Sequence, residues 1–216
     1  MGPASCARLP KFGETGMDRM DLNGVAIWPG FLSPEAQAAV VAATRAIVRA
    51  APLFHPVTPR GQQMSVRMTS AGAVGWVSDR KGYRYQPHHP AGTGWPPIPD
   101  CVLQVWHAVA GTPVAPDTCL VNFYAPDARM GLHQDRDEAC LDHPVVSISL
   151  GDAGLFRVGG PARRDPTRSV WLNSGDVAVL SGSSRLAHHG IDRIKPGSST
   201  LLDQPGRLNL TLRVAR

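Results

Sequence analysis

The strongest pattern of hydrophobic and polar positions lies in the second half of the chain, where short apolar runs are separated by turn residues. These runs predict β-strands at residues 119–124, 145–150, 155–158, 169–172, 176–180 and 207–214. Strands of this length and spacing are typical of an antiparallel barrel or a jelly roll. The pattern therefore predicts a mainly β fold with its core over residues 118–216.

Two segments of the first half carry helical signals. Ser33, Pro34 and Glu35 are a capping residue, a proline at the first helical position and an acid in the first turn. The apolar pairs that follow are seven residues apart, which predicts one buried stripe on a helix that ends near Ala50. A second helix is predicted at about 99–110. Residues 1–20 show neither pattern, and we interpret them as a flexible tail on a single domain of 1–216.

Composition narrows the class of protein. The 216 residues are 43% hydrophobic and 18% charged, which excludes a disordered or fibrous chain. No apolar run approaches the roughly 20 residues that span a bilayer. The four cysteines form no CxxC pair, so neither a disulfide framework nor a zinc knuckle is indicated. We expect a soluble, cytoplasmic monomer that binds no membrane, and its net charge of +5 favours a polyanionic partner without requiring one.

The segment 60–97, between the predicted helices, is rich in Gly, Met, Ser and aromatic residues, and we expect it to be a loop-rich insert. From residue 60 to 84 it holds one acid and five basic residues, which are Arg60, Arg67, Arg80, Lys81 and Arg84. Aromatic side chains such as Trp76 and Tyr83 can stack on bases while these cations attract phosphates. The alternative is that both rings are ordinary core aromatics.

His133 and Asp135 are the first candidates for chemistry. They stand two positions apart, so on an extended backbone both side chains point to one face, about 6.6 Å apart along the strand. Both can reach one metal ion, and the segment 188–190, with His188 and His189, is the best source of a third ligand. Two histidines and one carboxylate leave open positions on an octahedral ion, as in non-haem Fe(II) oxygenases. A chance pair on a polar strand face is the alternative.

The C-terminal strand carries a second candidate site. Three leucines alternate there with four polar residues, which are Arg207, Asn209, Thr211 and Arg213. On a strand this pattern places the leucines in the core and the polar side chains on the opposite face. That face is either solvated or suited to a small dicarboxylate, each end of which meets a guanidinium. Asn122 and Tyr124, again two positions apart, are candidate donors beside it.

In their order along the chain, these motifs resemble the AlkB family of Fe(II)- and 2-oxoglutarate-dependent dioxygenases that repair alkylated nucleic acids. The resemblance runs from about Met64 to Arg213. Its main motifs are Gly75-Trp76, Asn122-Phe123-Tyr124, His133-Gln134-Asp135-Arg136-Asp137-Glu138, Ser184-Arg185-Leu186, His189-Gly190-Ile191 and the seven residues from Arg207. Two positions depart from the family pattern: Leu180, where some bacterial members place Trp, and Phe123 within the Asn-x-Tyr motif.

The resemblance implies a double-stranded β-helix in which His133, Asp135 and His189 hold Fe(II). It also implies that the keto acid end of 2-oxoglutarate chelates the iron near Asn122 and Arg213. The distal carboxylate of this co-substrate would then meet three further residues, which are Arg207, Tyr124 and Asn209.

The resemblance also assigns the segment 60–97 to the family's nucleotide-recognition lid. In that lid Trp76 would stack on the flipped base, Tyr83 would contact the substrate backbone, and Met68 would line the pocket. Asp137 and Arg163 match positions that contact the base or shape its pocket.

The implied reaction consumes O₂ and 2-oxoglutarate, yields succinate and CO₂, and hydroxylates an N-alkyl group that leaves as formaldehyde. The expected substrates are 1-methyladenine and 3-methylcytosine in damaged DNA, with single strands preferred, and RNA or a protein is the alternative substrate within the family. Two other classes are a metal-free binding jelly roll, which does not need the ligands, and a cupin-like Zn or Mn hydrolase or isomerase, which does not need Arg207 and Arg213.

Overall fold

The computed structural model describes residues 19–216, so most of the expected tail at 1–20 lies outside the described residues. Within this range the chain forms two α-helices and thirteen strands, together with one 3₁₀ turn at Gly182–Ser184. The elements in chain order are β1 (Met20–Leu22), β2 (Val25–Trp28), α1 (Pro34–Ala50), β3 (Arg67–Gly72), β4 (Gly75–Asp79), β5 (Gly82–Gln86), α2 (Asp100–Val109), β6 (Thr118–Tyr124), β7 (Met130–His133), β8 (Val145–Gly151), β9 (Ala153–Val158), β10 (Arg168–Leu172), β11 (Val177–Leu180), β12 (His189–Lys195) and β13 (Arg207–Arg213).

Two antiparallel sheets make up the jelly roll. The larger sheet has the strand order β1-β2-β11-β8-β13-β6-β3, and the smaller has the order β10-β9-β12-β7. Strands distant in sequence are therefore neighbours, as a jelly roll requires. The sheets share one apolar cluster, in which Leu120 and Leu180 of the larger sheet join Phe156 and Ile191 of the smaller. The predicted mainly β fold is confirmed.

The two helices cover the other face of the larger sheet. Ser33 Oγ accepts a hydrogen bond from the Ala36 N–H at 3.2 Å, which confirms the predicted cap of α1. Buried Val40 and Ile47 of α1 join Trp106 of α2 and the leucines of β13 in a second apolar cluster. Neither helix has the length and apolar character needed to cross a bilayer.

The segment 60–97 holds more regular structure than the sequence predicted. β3 is an edge strand of the larger sheet, with Met68 opposite Asn122 of β6, while β4 and β5 form a separate hairpin. With β1 and β2, this strand extends the sheet beyond residues 118–216. The loop-rich expectation was wrong for these strands, because Met68 is the one large apolar residue of β3 and the strand therefore shows no apolar alternation. Its neighbours bury it, and Thr69 Oγ1 donates to Ala51 O at 2.7 Å.

The apolar runs did not mark two strands that carry site residues, β7 and β12, although His133 and Asp135 were expected to share one extended strand. β7 ends at His133, so Asp135 follows the strand instead of lying on it. Gly190 on β12 packs closely against β7, and a Cβ at this position would collide with the main-chain oxygens of Met130 and Gly131. The glycine therefore permits the close approach of the two strands.

Candidate active site

Three side chains meet where β7 and β12 run side by side. His133 lies directly opposite His189 in the antiparallel register of these strands. Asp135 Oδ1 lies 3.7 Å from His133 Nε2, and Asp135 Oδ2 lies 3.7 Å from His189 Nε2. One ligand atom from each residue falls within 4.8 Å of the others, so all three can contact one ion.

Main-chain carbonyl groups determine which nitrogen of each histidine is available. His133 Nδ1 lies 3.0 Å from Gly131 O, and His189 Nδ1 lies 3.0 Å from Ala187 O. A carbonyl oxygen can only accept, so the proton of each neutral ring sits on Nδ1 and leaves a lone pair on Nε2. Both Nε2 atoms face Asp135, an orientation that metal-ligating histidines commonly have.

The charges around Asp135 favour metal binding. Burial raises the pKa of this carboxyl, but attraction by Arg213 and the two histidines outweighs burial and brings the pKa well below its usual range. Arg213 Nη2 lies 2.8 Å from Asp135 Oδ2. Burial also lowers the pKa of His189 to about 4, which keeps this ring neutral at neutral pH. An ionised carboxylate and a neutral imidazole are the forms that bind a metal.

Arg207 is a buried cation with no carboxylate partner among residues 19–216. Its exposed fraction is 0%. Its Nη2 donates to Ser149 Oγ at 2.7 Å and its Nη1 to Leu172 O at 3.2 Å, while Nε has no hydrogen-bond partner within the described chain. Burial lowers its pKa to about 10, so the group stays charged at neutral pH. A buried charge is costly unless a counter-ion meets it, so the surroundings of Arg207 suit an anion.

Arg207 belongs to a polar ladder across β13 and β6. The register places Tyr124 opposite Arg207 and Asn122 opposite Asn209. Asn122 Nδ2 donates to Asn209 Oδ1 at 3.3 Å, and Asn122 Oδ1 is buried with no partner in the part of the chain described. All seven residues of β13 are buried. The interpretation of its polar face as a solvated surface is therefore excluded.

One cavity of about 650 Å³ joins these groups. It falls in the range of pockets that hold small ligands. Every residue that the sequence singled out for the site lines it: Met68, Trp76, Tyr83, Asn122, Tyr124, His133, Asp135, Asp137, Arg163, His189, Arg207, Asn209 and Arg213. The structure therefore brings the whole predicted set together around one space.

The β4–β5 hairpin forms one wall of this cavity. Trp76 Nε1 donates to Asp137 Oδ2 at 2.8 Å, and the indole stacks on the Tyr83 ring with centroids 5.6 Å apart and planes 15° apart. Tyr83 is 49% exposed, and Arg163 is exposed on the loop between β9 and β10. The two partners of Trp76 within the protein were not predicted from the sequence.

Comparison with known proteins identifies the family. The model of the 2OG-Fe(II) oxygenase superfamily matches residues 24–213. The alpha-ketoglutarate-dependent dioxygenase AlkB homolog of Caulobacter vibrioides is 53% identical over 194 residues, which cover 89% of this chain and 88% of that protein. The chain belongs to the AlkB family.

Two further AlkB-family proteins extend the comparison. The DNA N(6)-methyladenine demethylase ALKBH1D of Arabidopsis thaliana is 32% identical over 220 residues, covering 88% of this chain and 49% of that protein. The solved structure of OsALKBH1 superimposes with a TM-score of 0.77 and 32% identity, covering 91% of this chain and 99% of that one. The chain is thus an Fe(II)- and 2-oxoglutarate-dependent dioxygenase that uses O₂, as the sequence resemblance implied.

The described residues fit the cofactors of an AlkB-family enzyme. Two Nε2 lone pairs and one ionised carboxylate form a donor set that suits Fe(II). The unpartnered guanidinium of Arg207 suits a carboxylate of the co-substrate. A Cβ on Gly154 would lie 3.0 Å from Arg207 Cδ and Nε, so a glycine at this position of β9 leaves room for the guanidinium.

Three residues of the AlkB-family site had no role predicted from the sequence: the buried Glu138 and Arg185 and the half-buried Tyr85. Glu138 Oε1 accepts from the Tyr85 hydroxyl at 2.7 Å, and Oε2 lies 3.2 Å from Arg185 Nη2. An acid three positions after the ligand Asp135 was the available signal. Spacing alone could not show that this acid contacts two arginines, Arg185 and Arg213.

Two of the five basic residues that were expected to attract phosphates, Arg67 and Arg84, have partners within the protein. Arg84 is bound by both Nη atoms to Asp79, at 3.0 and 2.8 Å, so its charge is neutralised within the hairpin. The Arg67 guanidinium lies 4.7 Å from the centroid of the Phe123 ring.

Leu180, one of the two positions that depart from the family pattern, places an apolar side chain in the cavity wall, where it is 1% exposed.

Proposed function

We propose that this AlkB-family enzyme is an oxidative demethylase of alkylated DNA that prefers single strands. Its substrates are bases methylated on the pairing edge, such as 1-methyladenine and 3-methylcytosine. The observation that carries the proposal is the cavity, which the His–Asp–His set, the unpartnered Arg207 and the aromatic hairpin all line. The similarity to ALKBH1D, which is named as a DNA demethylase, supports the substrate class.

In this proposal His133, Asp135 and His189 hold the iron through two Nε2 atoms and a carboxylate. Iron, when bound, supplies open positions for O₂ and the co-substrate and the oxidising power for a C–H bond. Arg213 keeps Asp135 ionised through the 2.8 Å contact between Nη2 and Oδ2. In this proposal Arg213 and Asn122 also lie at the keto acid end of 2-oxoglutarate.

The distal carboxylate of 2-oxoglutarate binds Arg207 in this proposal. The free Nε of this side chain supports the assignment, because a planar guanidinium can offer a carboxylate two parallel N–H donors. Tyr124, opposite Arg207 on β6, and Asn209, two residues further on β13, complete the pocket for this end of the co-substrate.

The methylated base enters beside the β4–β5 hairpin. Tyr83 stacks on one face of the Trp76 indole. In this proposal the base stacks on the opposite face. Asp137 accepts from an exocyclic amino group, Met68 lines the pocket, Arg163 shapes its rim, and Tyr83 contacts the substrate backbone. A base that has lost its pairing hydrogen bonds leaves the stack at low cost, which favours damaged single strands.

We also propose that the protein acts as a cytoplasmic monomer. All proposed ligands come from one chain and surround one cavity, which supports catalysis without a partner subunit. Cys119 and Cys140 are free thiols within the described residues, which suits a reducing compartment.

One assay tests the proposed function. Formaldehyde release that depends on 2-oxoglutarate is compared on methylated single-stranded DNA, duplex DNA, RNA and a methylated peptide of matched concentration. We expect the highest rate on single-stranded DNA. Release from the peptide alone would overturn the nucleic-acid assignment, and a higher rate on RNA would overturn the choice of DNA.

A further inference from the structure

Glu138 is a buried carboxylate that the proposed reaction does not use. Its side chain is 2% exposed. Three groups surround it: the Tyr85 hydroxyl at 2.7 Å, Arg185 Nη2 at 3.2 Å and Arg213 Nε at 3.4 Å. A buried acid with this many partners is held in one position.

Both arginines that contact Glu138 also contact the metal ligand Asp135. Arg213 Nη2 lies 2.8 Å from Asp135 Oδ2, and Arg185 Nη1 donates to the main-chain oxygen of Asp135 at 2.6 Å. One arginine therefore holds the carboxylate of Asp135 and the other holds its backbone. The cluster holds two cations, Arg185 and Arg213, and two anions, Asp135 and Glu138, so its charges balance only while Glu138 is ionised.

Tyr85 connects the same cluster to the base-recognition hairpin. It lies on β5 directly opposite Trp76 on β4. Its hydroxyl donates to Glu138 Oε1 and lies 3.4 Å from Arg213 Nη1. The hairpin that carries Trp76 is thus hydrogen-bonded to residues that contact the metal ligand.

We propose that Glu138 is a positioning residue, which orients Asp135 through Arg213 and Arg185, and that Tyr85 uses Glu138 to fix the hairpin over the metal. The proposal rests on the proposed function, which assigns Asp135 to the metal and Trp76 to the base. The charge of Glu138 then controls the metal site, and the hydroxyl of Tyr85 controls how well oxidation is directed to the substrate.

The first test separates charge from packing at Glu138, with Co(II) as a probe whose visible absorption reports ligand geometry. Glu138→Gln keeps the shape and removes the charge, whereas Glu138→Asp keeps the charge and removes one methylene. We expect Glu138→Gln to raise the Kd for Co(II) about tenfold or more and to shift the absorption band, because an uncompensated arginine then competes for Asp135. Glu138→Asp should bind Co(II) more tightly than Glu138→Gln.

A matched control is Asp142→Asn, which removes a negative charge from an exposed carboxylate four residues away. This variant should bind Co(II) as the wild-type protein does. A Glu138→Gln protein with the wild-type Kd and spectrum would overturn the positioning role. So would a reversed order in which Asp binds Co(II) less tightly than Gln, since that order indicates packing alone.

The second test removes only the Tyr85 hydroxyl and judges the role of Tyr85 even if Glu138→Gln does not fold, in which case Glu138→Asp and its Kd for Co(II) test Glu138. Tyr85→Phe should keep the wild-type Kd for Co(II), yet with methylated single-stranded DNA its ratio of formaldehyde to succinate should fall about fivefold or more, because a displaced substrate is oxidised less efficiently. An unchanged ratio would overturn the role of Tyr85. Absence of formaldehyde from the wild-type enzyme would instead refute the proposed function, while the Co(II) data would still judge Glu138.

Discussion

Replacing Arg207 with lysine tests the co-substrate site while keeping its charge. The guanidinium is fully buried and already donates to Ser149 Oγ and Leu172 O from its two Nη atoms. Lysine carries its three donors on a single nitrogen atom. It cannot keep both of these contacts and also offer two parallel N–H groups to a carboxylate.

The expected magnitude follows from the loss of one charged hydrogen bond in a buried site. Such a bond contributes about 1.5–3 kcal/mol, which corresponds to an increase of about 10- to 150-fold in the KM for 2-oxoglutarate. The KM for methylated DNA should change little, because Arg207 lies within the sheet and not on the β4–β5 hairpin.

Initial rates of succinate formation measure this effect, at saturating Fe(II) and methylated single-stranded DNA. Arg45→Lys is the matched control, since Arg45 and its partner Asp203 are 51% and 86% exposed. Equal KM values for 2-oxoglutarate in Arg207→Lys and wild type would refute the assignment. An equal rise in the KM for DNA would indicate general damage to the site.

Three further predictions concern the metal, the base and the fold. His189→Ala should abolish Co(II) binding and turnover, whereas His188→Ala should retain both. The reason is that Nδ1 of His188 faces Gly160 O at 3.3 Å and that His188 is not part of the triad. The reverse result would show that His188, not His189, is the third ligand. Trp76→Ala should raise the KM for methylated single-stranded DNA about 5- to 150-fold, the equivalent of about 1–3 kcal/mol of base stacking, with the affinity for 2-oxoglutarate unchanged in calorimetry; a wild-type KM would exclude stacking. Ser33→Ala should lower the free energy of unfolding in urea by about 1 kcal/mol through loss of the α1 cap, without altering the KM for 2-oxoglutarate; full stability would show that the cap contributes nothing.

The sequence by itself determined the features that depend on neighbours within one element. Alternation in β13 predicted that its leucines and its polar residues occupy opposite faces, and both faces are present in the fold. The signal at Ser33 and Pro34 located the start of α1, because a cap acts within one turn. The motifs, taken in their order along the chain, also indicated the family, because patterns that are weak one by one are specific in combination.

Only the tertiary structure decided which elements meet. The pairing of β7 with β12 sets His133 opposite His189 across 56 residues of sequence, and Gly190 permits the contact because it has no side chain. Packing between distant segments, not composition, buried the polar face of β13 and placed β3 in the larger sheet. The contacts that connect Tyr85, Glu138 and Asp135 likewise follow no periodic pattern in the sequence. The hydrophobic period of the sequence indicates which face of its own strand a residue occupies. Strand pairing and charge balance instead arise from packing between segments that are distant in sequence.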